Sequence, residues 1–163
     1  YGIESEDILE VIVAKLLTQK KRTLSVAESC TGGKLAAAFT AIPGASAYFK
    51  GGVVAYETAQ KSNLLGVSKS LIEQHSVVSK EVASAMALGV QKLMGSDFAI
   101  ATTGNAGPTK GDSDAPLGTV CIAIAHPKGV YSEIISMGNH RERIVQKTII
   151  KALALLQKEI IKF

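Results

Sequence analysis

One heptad of the chain, Ala27-Glu28-Ser29-Cys30-Thr31-Gly32-Gly33, sets a hydroxyl, a thiol and two glycines between a short apolar run, Thr23 to Ala27, and an alanine-rich run, Lys34 to Ala41. If a strand turns into a helix here, the turn gathers the unpaired N–H groups of the first helical turn, and glycine lets a substrate come close to the backbone. That points to chemistry on an anionic or carbonyl-bearing ligand. A purely structural reading stays open: Ser29 or Thr31 caps the helix, and Gly32 and Gly33 make the bend.

Two further clusters carry chemistry-bearing groups. Tyr56-Glu57-Thr58-Ala59-Gln60-Lys61 brings a tyrosine and a lysine out of a second strand together. With Thr58 as an N-cap, Lys61 falls at the third helical position, where the helix dipole disfavours an added positive charge. A lysine that works as a base near neutral pH must sit well below its ordinary value near 10.4. The dipole contributes only about 0.3–1 kcal/mol, so desolvation or a second cation must do most of this. An ordinary surface lysine is the alternative.

The third cluster is Thr102-Thr103-Gly104-Asn105-Ala106-Gly107-Pro108, whose hydroxyls and flexible backbone could form an oxyanion pocket or cradle a phosphate. Either Ser29 or Cys30 could be the nucleophile beside a helix start, and neighbouring residues leaving a strand point in opposite directions. The pattern leaves open which one faces a cleft. Of the histidines available for a Ser-His-Asp arrangement, His75 in a helical linker and His126 in a Pro127 turn are poorly placed, while His140, beside Arg141 at a helix start, could be a substrate contact or a solvated cap residue.

These residues need a scaffold. Apolar spacing from Ile8 to Leu17 after Ser5-Glu6-Asp7 predicts a helix ending near Lys20. Strands are expected over Thr23–Glu28, Gly52–Glu57, Phe98–Ala101, Thr119–Ala125 and Val130–Met137, the last two as an antiparallel hairpin. Helices are expected over Thr31–Ala41, from Thr58 to Leu65, after Ser68 or Ser70, from Ser79 to Gly95, and over Arg141–Ile161. The helix after Ser79 carries Val82, Met86, Val90 and Leu93 on one side. Thr102 to Gly118 reads as one long polar loop. Strands separated by helices, with a late hairpin, make an α/β three-layer sandwich with a mixed, mostly parallel sheet of about five strands. In such a sheet the ligand lies at the carboxyl ends of the parallel strands, where all three clusters fall.

Composition narrows the class. At 163 residues, with 47% hydrophobic and 20% charged content, the chain has the balance of one globular domain. The absence of a membrane-length apolar run or signal segment leads to the expectation of a soluble cytoplasmic protein. Cys30 and Cys121 form no Cys-x-x-Cys pair, so neither a disulfide framework nor a metal site is expected. The net charge of +4 is concentrated in the C-terminal helical pattern, and 5% aromatic content without tryptophan offers no stacking platform for nucleic acid. Tyr1 in place of an initiating methionine fits a domain taken from a longer chain.

From Ile8 to Leu156 the sequence resembles the CinA C-terminal-domain family, the nicotinamide-nucleotide amidohydrolases. The likeness rests on Ala27 to Gly33, on Pro43-Gly44 through Gly51-Gly52-Val53-Val54-Ala55-Tyr56 to Lys61, on Gly66-Val67, on Gly104-x-Ala106-Gly107-Pro108, and on Pro116-Leu117-Gly118-Thr119-Val120. Asn105 stands where the family carries an apolar residue, and Gly138-Asn139-His140-Arg141 has an extra or shifted residue against its Gly-x-Arg.

The resemblance implies hydrolysis of nicotinamide mononucleotide to nicotinic acid mononucleotide and ammonia, with no cofactor or metal. It also implies a pyridine nucleotide as small-molecule partner, no nucleic acid or membrane, and a homodimer. It makes Ser29 the nucleophile, Lys61 its base and Tyr56 a helper that orients or relays the proton. It assigns the N–H groups around Thr31, Gly32 and Gly33 to the oxyanion, Thr103, Gly104 and Asn105 to ribose or phosphate, and Arg141 to the phosphate. The other classes weighed are a nucleotide- or partner-binding domain without turnover, and an amidase for a different small amide.

Overall fold

Along Leu24–Glu28, Phe98–Gly104 and Thr119–His126 large and small side chains alternate, and the alternation sorts the core into two unlike halves. The structure, a computed structural model, describes residues 2–105, 115–138 and 140–163, with residues 2–8 described by their backbone alone. Its elements run α1 (Gly2–Lys20), β1 (Leu24–Glu28), α2 (Lys34–Thr40), a 3-10 turn (Ala45–Ala47), β2 (Phe49–Val54), α3 (Thr58–Leu65), α4 (Lys69–His75), α5 (Lys80–Met94), β3 (Phe98–Gly104), β4 (Thr119–His126), β5 (Gly129–Ser136) and α6 (Arg141–Lys162).

Five strands form one mixed sheet in the order β2-β1-β3-β4-β5. Strands β2, β1 and β3 are parallel, and β4 and β5 are added antiparallel. On one face Leu24, Val26, Phe98, Ile100, Val120, Ile122 and Ile124 meet Val13, Leu17, Leu35, Phe39, Leu153 and Leu156 of α1, α2 and α6. On the other, Ala27, Ala99, Ala101, Cys121, Ala123 and Ala125 meet Val82, Met86 and Val90 of α5. Because successive strand residues point to opposite faces, the period-two change in size gives one thick layer and one thin layer. The thin layer lets α5 lie close to the sheet. This is the α/β three-layer sandwich expected from the sequence.

Several element ends differ from expectation for identifiable reasons. Gly32 and Gly33 take left-handed φ values of 59° and 98°, so α2 starts at Lys34 rather than Thr31. Strand β2 pairs from Phe49 to Val54 rather than over Gly52–Glu57, and Gly52 is needed there because a Cβ would lie 2.6 Å from the Val26 carbonyl. Glu57, not Thr58, is the N-cap of α3, which puts Lys61 one position deeper. Thr102, Thr103 and Gly104 extend β3, so the polar connection begins only after them. Leu93 is 56% exposed, and the buried stripe of α5 continues at Met94 instead, four residues on from Val90. The caps at Ser68 and Ser79 form as expected, accepting from Leu71 and Val82 N–H.

The topology fixes where the clusters meet. From β1 the chain moves outward to β2 on one side, and then to β3 on the other, which makes the end of β1 a switch point. Glu28 is in register with Val54, and Ala27 with Ala101. Ser29 and Ala55 therefore leave their strands side by side, next to Thr102 of β3. Among the described residues no helix is long and apolar enough to cross a membrane.

The close seat of α5 yields a test. A Cβ on Gly89 would lie 2.1 Å from the Leu65 carbonyl of α3. At an exposed helical position Gly→Ala adds about 1 kcal/mol of stability; here the overlap reverses the sign, and Gly89→Ala should cost roughly 1–3 kcal/mol. Thermal unfolding of the variant should show a Tm several degrees lower, and an unchanged or raised Tm would contradict this packing.

Candidate active site

Lysine is rarely buried, and Lys61 is 1% exposed. Helix α3 enters directly after β2 and points this side chain back under the strand ends. Its Nζ lies 3.0 Å from Ser29 Oγ, 2.8 Å from the Ala55 carbonyl and 3.4 Å from the Tyr56 carbonyl. A carbonyl can only accept. Lys61 Nζ therefore donates to Ala55 and Tyr56, and of the three contacts only the one with Ser29 Oγ has a partner that could also donate to a neutral amine.

Ser29 and Cys30 do separate to opposite sides. Ser29, 7% exposed, turns toward Lys61, whereas Cys30 joins the thick core layer, where its sulfur would be 3.0 Å from a Cβ placed on Gly104. Burial pushes the Cys30 thiol up to about 12, against the contact with Thr102 and the nearby charge of Lys61. Burial likewise pushes Cys121 up to about 11. A thiol held protonated in this way is a poor nucleophile. Of the two neighbours, Ser29 is the one in contact with the buried lysine.

The turn itself is held by a residue to which the sequence reading gave no role. Glu28 is fully buried, and its Oε1 accepts from Thr31 Oγ1 at 2.6 Å, Gly33 N at 3.2 Å and Leu35 N at 2.8 Å, while Oε2 accepts from Ala36 N at 3.0 Å. Thr31 and Thr102 hydroxyls are 2.9 Å apart, and Ser29 N donates to Thr102 Oγ1 at 3.4 Å. Thr31 spends its proton on Glu28, so the bond between the two hydroxyls uses the proton of Thr102. The available signal in the sequence was an acidic residue at a strand end just before a helix start, where a carboxylate satisfies orphan N–H groups.

This changes the expected anion site. Gly33 N serves Glu28, and Gly32 N donates to the Ser29 carbonyl at 3.1 Å. The Gly32 and Gly33 amides named from the sequence are thus already used. Among the described residues, the amides of Cys30 and Thr31 are the two in this turn that are bonded to no carbonyl, carboxylate or hydroxyl, the Cys30 amide lying within reach of its own sulfur. A Cβ on Gly32 would meet nothing within 4 Å, so the space beside the turn is open.

The remaining expected residues are divided. Tyr56 is 60% exposed; its carbonyl faces Lys61, and its hydroxyl accepts from Arg141 Nη2 at 3.3 Å. That contact links the exit of β2 to the start of α6. Thr103 is 1% exposed and donates to the Val77 carbonyl at 3.0 Å. Asn105, 4% exposed, donates from Nδ2 to the Ala115 carbonyl at 3.0 Å and from its amide to the Thr119 carbonyl at 2.8 Å. Gly104 is a steric necessity, with Val120 Cγ2 2.9 Å from where a Cβ would stand. These three brace the strand end. Ala106-Gly107-Pro108, Thr109 to Asp114 and Asn139 lie outside the described residues.

A cavity of about 470 Å³ at the same sheet edge is lined by His75, Ser76, Thr119 and Ser136 among others, and includes neither Ser29 nor Lys61. Two of its lining residues, Ala115 and Thr119, accept hydrogen bonds from Asn105. Among the described residues no cluster of His, Cys, Asp and Glu could hold a metal ion.

A family model, the CinA C-terminal domain, matches residues 6–160. A CinA-like protein from Flavobacterium psychrophilum is 53% identical over 161 residues, which is 99% of this chain and 38% of that protein. The chain therefore spans well under half the length of that relative. Among solved structures, a competence-damaged protein (CinA) superfamily protein from Klebsiella pneumoniae superposes with a TM-score of 0.92 at 33% identity, covering 97% of this chain and 99% of the other. A competence/damage inducible protein from Agrobacterium tumefaciens gives a TM-score of 0.86 at 35% identity, covering 93% and 92%.

The thiols provide the test of this geometry. At pH 8 a disulfide reagent such as Ellman's should titrate neither cysteine quickly in the native protein, and both after denaturation. An unfolded thiol ionises near its reference value of 9.0, ahead of the raised folded values of about 12 and about 11. The stability from neutral thiols is complete below about pH 9 and is lost as pH rises through 11 to 12. The fall of Tm above pH 9 should be shallower in Cys30→Ala than in the parent chain; equal slopes would remove Cys30 from the buried site.

Proposed function

The chain belongs to the CinA C-terminal domain family, and from that premise we propose that it is an amidohydrolase converting nicotinamide mononucleotide to nicotinic acid mononucleotide and ammonia. The observation that carries the reading is the buried Lys61 amine 3.0 Å from Ser29 Oγ, with two carbonyl acceptors on its other side. Removal from water penalises the ammonium against the neutral amine, which is the form a base requires.

In the proposed reaction Ser29 Oγ attacks the carboxamide carbon while Lys61 takes its proton. The amides of Cys30 and Thr31 face the oxyanion of the tetrahedral intermediate. Collapse expels ammonia, to which Lys61 returns the proton, and leaves a nicotinoyl ester on Ser29. Water, deprotonated by Lys61, then adds to the ester; the acid leaves and Ser29 recovers its proton. The substrate's pyridinium ring withdraws electrons from the amide throughout. Arg141 takes the phosphate, and Tyr56 acts through both ends: its hydroxyl orients Arg141 and its carbonyl holds Lys61.

Ammonia release from nicotinamide mononucleotide should fall at least about 10³-fold in Ser29→Ala and persist in Cys30→Ala. Tight binding without ammonia release in the parent chain would favour a binding domain, and equal rates on simple amides would point to another substrate.

The parent rate should climb with pH through one ionisation. In Lys61→Ala it should be about 10²–10⁴-fold lower and flat over the same range. A preserved rise in Lys61→Ala would remove Lys61 from the role of base.

A further inference from the structure

The chemistry above leaves one buried charge at the turn unused. Glu28 lies one residue before Ser29, fully buried, with four donors on its two oxygens. We propose that Glu28 is a positioning residue for catalysis: through Thr31 and Thr102 it sets the Ser29 turn so that the Cys30 and Thr31 amides remain available to the oxyanion. The proposal rests on the amidohydrolase reading and deepens it.

Two features of the geometry support it. First, the carboxylate takes the amides of Gly33, Leu35 and Ala36, so the start of α2 is filled from within. A substrate phosphate or carboxylate has no vacant helix start to compete for. Among the described residues, the amides of the turn bonded to no carbonyl, carboxylate or hydroxyl are those beside the nucleophile. Second, the proton order is directional. Thr31 must give its proton to a carboxylate that can only accept, so Thr102 must give its own to Thr31, and Thr102 Oγ1 then presents a lone pair to Ser29 N–H. The backbone of Ser29 is thereby tied to Glu28 through two hydroxyls. The link reaches the main chain of the nucleophile without touching its Oγ, which stays with Lys61.

A residue that only supported the fold would lower stability without changing the reactivity of the folded protein. The test is therefore the rate at which a fluorophosphonate probe labels Ser29, measured below the Tm of each variant and located by peptide mass spectrometry. The phosphonyl oxygen of the probe uses the same amides as an oxyanion. Thr31→Val keeps the shape and removes both hydroxyl links; its labelling rate and kcat should fall about 100-fold with KM held within about threefold, and Thr31→Ser should restore both. Glu28→Gln places an N–H₂ group against converging N–H donors and should lower labelling rate and Tm together.

Equal labelling of Thr31→Val and the parent chain at Ser29 would overturn the positioning role and leave the serine chemistry standing. A loss confined to KM would overturn it as well. Labelling of Ser29 without ammonia release from nicotinamide mononucleotide would remove the substrate assignment only, with the positioning role still decided by the labelling rates. An unlabelled Ser29 in the parent chain would remove both.

Discussion

The Ser29 site depends on a carboxylate at the start of a helix. Leaving β1 and entering a seven-residue helix within five residues strands several N–H groups, buried or half-buried at Gly33, Leu35 and Ala36. Each buried donor left unmatched costs about 1–3 kcal/mol, and a bare buried carboxylate costs several more. Glu28 offsets both at once, because its four short bonds supply the donors a buried charge needs and the acceptors a helix start needs. Neither half would be tolerated without the other. The turn that results presents Ser29 Oγ to one side and sends Cys30 into the core.

Lys61 meets the opposite difficulty, a cation's stem and amine carried beneath the strand ends. Main-chain carbonyls of Ala55 and Tyr56 receive it, and both come from the segment where β2 has stopped pairing as a strand. Ala55 N still donates to the Glu28 carbonyl at 2.8 Å, so the acceptors for the lysine are fastened to the strand that carries the serine. Nucleophile and base are thus referred to one rigid edge rather than to two independent loops. A misplacement of either would have to deform the sheet.

The layer order and most elements are legible in the sequence because they rest on short-range rules: period-two apolar runs, glycines after helices, and serine caps at Ser68 and Ser79. Ends decided by pairing were not. Thr102 and Thr103 look like loop residues, and only the partners Ile122 and Cys121 across the sheet make them strand. Within the site, Ser29, Tyr56 and Lys61 could be marked as residue types, and the family likeness assigned them roles. Their convergence required the β2-β1-β3 order. Glu28 was overlooked because an acidic residue at a strand end ordinarily reads as solvent-facing. That Thr103 and Asn105 also brace the strand end was not legible, because their acceptors, Val77 and Ala115, are not their sequence neighbours.

The two unlike faces of the sheet bear on how such a site can persist. A cluster holding Ser29, Lys61, Glu28, Thr31 and Thr102 contributes little apolar burial of its own. The thick layer beside it supplies that instead, with Leu35 and Phe39 of α2 fully buried immediately after the turn. A buried side chain of this size contributes about 1.5–3 kcal/mol. The helix that Glu28 starts is therefore anchored one turn later by the core, and the polar turn is held from both ends. The thin layer serves the other partner: alanines on β1 and β3 admit α5, α5 carries Gly89 against the end of α3, and α3 aims Lys61. Filling the thin layer with larger residues would add burial and move the base away from the serine.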